Sequence, residues 1–162
     1  MLRKIISGGQ CGVDVAALRA AKRAGLQTGG TMPRGWVTID GPRPGYATEF
    51  GLIEHPFSAS YPPRTLANVL GADATLRIAA DFESAGERCT WAAIVRARSR
   101  HLDVQLDELV PAIRPEVVAQ WIIDKWIATL NVAGNSERTT LGIERFAENY
   151  LDQVFAALRK NS

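Results

Sequence analysis

Three short segments of this chain collect the residue types that hold an anion. In "SGGQCGVD", Ser7 to Asp14, the glycines Gly8, Gly9 and Gly12 let the backbone turn sharply and approach a ligand. The helical pattern beginning at Val13 points unpaired N–H groups back at the same place, an arrangement suited to phosphate. The spacing is not the dinucleotide fingerprint G-x-G-x-x-G, nor the P-loop, because no Gly-Lys-Ser/Thr follows. A second segment, "ADFESAGERCT" from Ala80 to Thr90, carries Gly86, Arg88 and the Thr90 hydroxyl at a strand-to-helix turn. The third, "NVAGNSER" from Asn131 to Arg138, carries Gly134, Asn135 and Ser136 in the same setting. Glycine, serine and asparagine also cap ordinary turns, so each segment alone says little. Together they point to one concave polar site.

Arg34, Arg64, Arg88 and Arg138 lie in or beside these loops, where a guanidinium can pair with an anion or simply be solvated. Asp14, in a first helical turn, either contacts ligand or complements the helix dipole. Cys11 and Cys89 fall near helix N-termini, where thiol pKa values drop, and either share a cavity or fill small spaces. His55 and His101 stand apart with no His-x-x-x-His or Glu-x-x-His spacing, so no metal site is expected. There is no Gly-x-Ser-x-Gly nucleophile elbow.

The elements that must position these residues are those of one globular domain over residues 1–162, with 46% hydrophobic and 22% charged residues. A net charge of +2, from 19 basic and 17 acidic side chains, gives no general attraction to nucleic acid or membrane. Two cysteines without C-x-x-C spacing make no disulfide framework, and the amino-terminal apolar run is too short for a signal peptide. The expected setting is the cytoplasm.

Leu2–Ser7 reads as a strand, and Val13–Gly25 as a helix with a face of Val13 and five alanines ending at Gly25. A short strand at Leu26–Gly30 precedes a Pro- and Gly-rich loop to Tyr46, long enough to serve as a lid. "EFGLIEHPF" fits strand or turn. A helix at Arg64–Leu70 opens on Pro62-Pro63, and strands follow at Ala72–Ala80, Leu102–Leu106 and Ile127–Val132. Helices are expected at Arg88–Arg100, Pro115–Ile127 and Gly142–Arg159. The alternation implies an α/β, Rossmann-like three-layer fold, a largely parallel sheet with helices on both faces. In such sheets all strand-to-helix loops share the carboxyl edge, where ligands bind. Trp121 and Trp126, read on one helix, serve the core or a subunit contact.

"IISGGQCGVD", "TGG" at Thr28–Gly30, "DGP" at Asp40–Pro42, "YPPRTLANV" and "LNVAGNSE" together resemble the molybdenum cofactor carrier proteins. These form the circularly permuted YpsA branch of the SLOG superfamily, relatives of the Lonely Guy-type phosphoribohydrolases. The resemblance spans nearly the whole chain. It implies a binding protein or carrier for a phosphorylated heterocycle, either a nucleotide or molybdenum cofactor, and assembly as a homo-oligomer, dimer or tetramer. By position it assigns ligand contacts to Ser7, Gly8, Gly9, Gln10, Gly12, Asp14, Arg64, Asn68, Gly134 and Ser136. Cys11 stands where family members carry Thr. The phosphoribohydrolase motif P-G-G-x-G-T-x-x-E is matched through Gly86 and Thr90, with Arg88 and Cys89 between them, and its closing catalytic Glu falls on Ala93. That substitution argues against hydrolysis by the same route and leaves no catalytic residue assigned. Glu83 and Glu87 are the nearby carboxylates able to support the alternative, a nucleotide-processing enzyme.

Overall fold

The structure is a computed structural model that describes residues 1–160. Seven strands form one sheet: β1 (Lys4–Ile6), β2 (Gln27–Met32), β3 (Leu52–Glu54), β4 (Ala74–Ala79), β5 (Arg100–Asp107), β6 (Val110–Pro111) and β7 (Thr129–Gly134). Their spatial order is β3-β2-β1-β7-β4-β5-β6, and every pair is parallel except β5 with β6. The helices are α1 (Val13–Arg23), α2 (Tyr46–Phe50), α3 (Tyr61–Leu70), α4 (Ala85–Ala97), α5 (Pro115–Asp124) and α6 (Ile143–Lys160).

Strand alternation sends side chains to two faces. Ile5, Leu76, Ile78, Leu130 and Val132 pack with α1, α5 and α6 in the main core. The small-residue face of α1, Ala16, Ala17, Ala20 and Ala21, lets that helix lie close to α6 and the sheet. Thr75, Arg77 and Asn131 point to the opposite face, where α3 and α4 pack through Val69, Ala93 and Ile94. The fold is therefore the expected α/β Rossmann-like sheet covered on both faces.

Two segments depart from the sequence expectation in kind. The β5–β6 hairpin was not expected, because its turn residues Glu108 and Leu109 both adopt positive φ (45° and 63°) without the Asn or Gly that normally marks such a turn. "EFGLIEHPF" resolves into the end of α2, the left-handed Gly51 (φ 68°) and strand β3. Others shift in position. α4 begins at Ala85 rather than Arg88, with Ser84 as its N-cap accepting from the Glu87 amide at 3.5 Å, so Gly86 and Glu87 sit in its first turn. α5 ends at Asp124, leaving Trp126 (φ 55°) beyond the helix and 85% exposed, while Trp121 packs partly buried against the core. The two tryptophans do not share a helix.

Close backbone approach fixes β2 against the end of β1. A β-carbon on Gly30 (φ 129°) would collide with the Ser7 carbonyl oxygen and lie 2.8 Å from the Ser7 nitrogen. Gly30→Ala is accordingly expected to destabilise the protein by roughly 3 kcal/mol or more. Gly45→Ala, whose β-carbon meets nothing within 4 Å, should change stability by less than about 0.5 kcal/mol. Equilibrium denaturation of the two variants in urea checks the contrast.

Candidate functional site

The register pairs Ile6 with Asn131 and Ile78 with Gly134, which brings the ends of β1, β7 and β4 to one edge. A cavity of about 360 Å³ opens there, within the range of small-molecule sites. Gln10 and Asp14 line it from the first glycine loop and α1, and Ala133 to Ser136 from the end of β7. Ser84 to Glu87, Cys89 and Thr90 contribute from α4, and Tyr61, Pro62, Arg64 and Thr65 from α3. Ile39 and Thr139 complete the wall.

Of the residues singled out in the sequence, Gln10, Asp14, Arg64, Gly86, Thr90, Gly134, Asn135 and Ser136 meet at this cavity. Ser7, Gly8, Gly9, Cys11, Gly12, Asn68 and Arg88 do not line it. Ser7 is fully buried and donates its hydroxyl to the Val132 carbonyl at 2.6 Å, tying β1 to β7. Asn68 holds α3 to β2 through both the amide and the carbonyl of Thr31. Gly12 leaves room for the Asn135–Glu137 backbone. The Arg88 guanidinium turns outward to the Glu83 carbonyl at 2.6 Å, and Glu83 is itself exposed. The cysteines do not share the cavity: Cys89 lines it, whereas burial, with Asp40 and Glu144 nearby, pushes the Cys11 thiol up to about 11. A helix N-terminus therefore does not activate Cys11.

Electrostatics divide the site into two arginine–carboxylate groups. The Arg64 guanidinium lies over Gly8, where a β-carbon would strike Nη1, and its Nη1 is 3.4 Å from Asp14 Oδ2. The Tyr61 ring sits beneath the same guanidinium, 5.4 Å from Cζ to centroid. Asp14 also accepts from the Gln10 amide at 3.3 Å, yet burial outweighs these partners and raises its pKa above the ordinary value. Arg64 Nε is buried and has no hydrogen-bond partner. The second group is one that sequence reasoning did not connect: Arg77, on β4, is buried and reaches Asp103 through Nε at 2.9 Å and through Nη2. Its Nη1 is 3.6 Å from Glu87 Oε2. An arginine amid the apolar run "ATLRIAA" was the available signal.

The loop expected as a lid reaches the cavity through Ile39. The Gln10 carbonyl Oε1 accepts from the amides of Cys11 (3.1 Å) and Ile39 (3.0 Å), while its Nε2 donates to the Tyr61 hydroxyl at 3.2 Å. Arg138 Nη2 donates to the Ile39 carbonyl at 2.7 Å and to Asp40 Oδ1 at 3.1 Å. The tip of the loop spanning 33–45 is thus pinned by the first and third glycine loops. No group of three or more His, Cys, Asp or Glu side chains among the described residues is placed to hold a metal ion. Nor is any described helix long and apolar enough to cross a membrane.

Comparison with known proteins agrees with this architecture. A crystal structure from Syntrophus aciditrophicus SB, of a candidate molybdenum carrier protein, is 32% identical and superposes with a TM-score of 0.81. The match covers 95% of this chain and 94% of that one. No curated protein matches. The model of the circularly permuted YpsA SLOG family matches residues 5–155, and with the sheet order and three-loop site in place the chain belongs to that family.

Proposed function

We propose that the protein binds and carries a phosphorylated nitrogen heterocycle, of nucleotide or molybdenum cofactor type, across its three glycine loops. The observation that carries this reading is Arg64 Nε, a buried cationic donor without a partner beside a cavity that also takes in the first turn of α4. Buried donors are nearly always satisfied, so an orphan on a cavity wall calls for an acceptor from the ligand. Phosphate supplies one, and a guanidinium already fixed by Asp14 and Tyr61 meets it with little loss of freedom. The phosphate-bearing end of a pterin cofactor fits these residues as well as a nucleotide does. A metal on such cargo would come with its own pterin ligands. Binding without turnover suits the Ala93 position, whose side chain packs with Val69 and Ile94 in the core and brings no carboxylate.

Thermal unfolding in the presence of nucleoside monophosphates, cyclic nucleotides and phosphorylated pterins tests the reading. A true ligand at ~100 times its Kd adds about 2.7 kcal/mol of stability. Arg64→Ala should reduce that affinity at least tenfold, the loss expected for a charge-assisted contact of about 1.5 to 3 kcal/mol. Absence of stabilisation by every phosphorylated compound overturns it.

In the same reading the loop spanning 33–45 opens to admit ligand. Gln10→Ala and Arg138→Ala should each raise amide exchange at Ile39 severalfold and speed both ligand association and release, while exchange at Leu76 and Val132 stays unchanged. Hydrogen-exchange mass spectrometry and stopped-flow binding provide the measurements.

A second reading, hydrolytic release of base from a nucleoside monophosphate, is favoured by Glu87, a buried carboxyl on the cavity wall. Free base that appears with the wild type and not with Glu87→Gln supports it. Intact nucleotide after prolonged incubation removes it.

A further inference from the structure

Among the described residues, two buried side-chain polar atoms lack any hydrogen-bond partner, Arg64 Nε and Glu87 Oε2, and both residues line the same cavity. The first is the anion contact above. The second belongs to Glu87, which is 1% exposed. The other carboxylate on the cavity wall, Asp14, is already engaged by Arg64 and the Gln10 amide.

We propose that Glu87 reads the heterocycle of the bound ligand, its carboxyl pairing with a ring edge that carries an N–H donor beside a carbonyl or ring-nitrogen acceptor. This rests on the preceding reading of the cavity as a phosphate site and adds what the far end of the ligand must present. Arg77 is the positioning residue. Its guanidinium is held between Phe82 and Trp91, 4.6 Å and 5.2 Å from the ring centroids, and it donates both Nε and Nη2 to Asp103. What remains for Glu87 is Nη1, which reaches its carbonyl at 3.5 Å and its Oε2 at 3.6 Å.

The charge balance decides which form of the carboxyl faces the ligand. Glu87 is surrounded by Arg77 from β4, Asp103 from β5, Asp14 from α1 and Asp81 from the loop before α4. Arg77 is thus shared with Asp103, and Arg64 is occupied by Asp14. Burial and these anions push the Glu87 carboxyl up to about 8. At neutral pH it is an acid, with an O–H donor beside a C=O acceptor. That pair is complementary to the lactam edge shared by guanine and pterin rings, in which a ring N–H adjoins a carbonyl.

The test compares guanosine 5′-monophosphate with ribose 5-phosphate, which lacks the ring, by calorimetric titration of the full chain near pH 6.5. The wild type should bind the nucleotide at least about tenfold more tightly, as expected for two hydrogen bonds. Glu87→Ala should abolish that preference and leave ribose 5-phosphate binding within about twofold. Glu87→Gln, which keeps donor and acceptor side by side, should retain the preference within about threefold. Nucleotide affinity of the wild type should fall as pH rises through about 8 and stay level in Glu87→Gln.

Ligand-free stability supplies a second readout. The unfolded chain loses this proton near the ordinary value of 4.5 and the folded chain near 8, so the contribution of Glu87 is full below 4.5 and is lost as pH rises to about 8. Glu87→Gln should remove that decline, a result that stands even if Glu87→Ala does not fold. Equal binding of the two probes, or Glu87→Gln as damaging as Glu87→Ala, overturns the assignment of Glu87 alone. Failure of both probes to bind the wild type overturns the phosphate reading beneath it.

Discussion

One buried side-chain amide holds the three loops of the site in a single arrangement. Asn135, 2% exposed at the end of β7, accepts at Oδ1 from the amides of Ala80 and Asp81 and from the Thr140 hydroxyl, at 2.9 to 3.0 Å. Its Nδ2 donates to the Asp81 carbonyl at 2.9 Å and to Ser84 Oγ at 3.4 Å. Its own backbone takes the Val13 amide at the start of α1 and donates to the Ile78 carbonyl. The loop after β4, the cap of α4, the start of α1 and the approach to α6 therefore all refer to one residue. Such a network is stiff because every polar atom in it is satisfied internally. The cavity wall is built around it, and the positions of Gly86, Glu87 and Ser136 depend on it.

Against that satisfied centre, the two arginines show a different use of burial. Arg64 on α3 and Arg77 on β4 are each tethered to a carboxylate and rest on aromatic rings, but Arg64 keeps Nε unmatched, whereas every Arg77 nitrogen has an acceptor. Burying charge in this way contributes little to stability and orients donors instead. Gly8 is the structural condition for the first arginine, since any side chain there would displace it. The glycines of the opening motif thus act mainly by making space. Gly8 admits Arg64, Gly12 admits the Asn135–Glu137 backbone, and Gly9 (φ 70°) turns the chain beside Leu52 and Met32.

Much of this was legible in the sequence, and the reasons differ by element. Long periodic segments such as α1 and α6, and the apolar strand β4, declare themselves because burial on a fixed period leaves a residue pattern. The three strand-to-helix loops were readable because their glycine and asparagine residues answer to backbone geometry. Hidden were features set by distant neighbours. The hairpin turn at Glu108-Leu109 is imposed by strand pairing, against residue preference. The start of α4 is hidden because the Gly and Arg of "AGER" mask the Ser84 cap, and with it the place of Glu87 on the cavity wall. Arg77 and Glu87 lie ten positions apart, and the pairing becomes visible only when β4 and α4 are stacked.

The position of β7 has a consequence for how the molecule comes into being. This strand is made after the other six described strands, yet it lies in the middle of the sheet between β1 and β4, and the Ser7–Val132 bond joins residues 125 positions apart. On the ribosome, the earlier strands emerge as two sets with no common neighbour, β3-β2-β1 and β4-β5-β6, each with an edge that only β7 can cover. Final closure of the sheet is therefore a late, non-local event. Until Asn135 has left the exit tunnel there is no cavity, so a nascent chain that has exposed only β1 to β6 has no formed site.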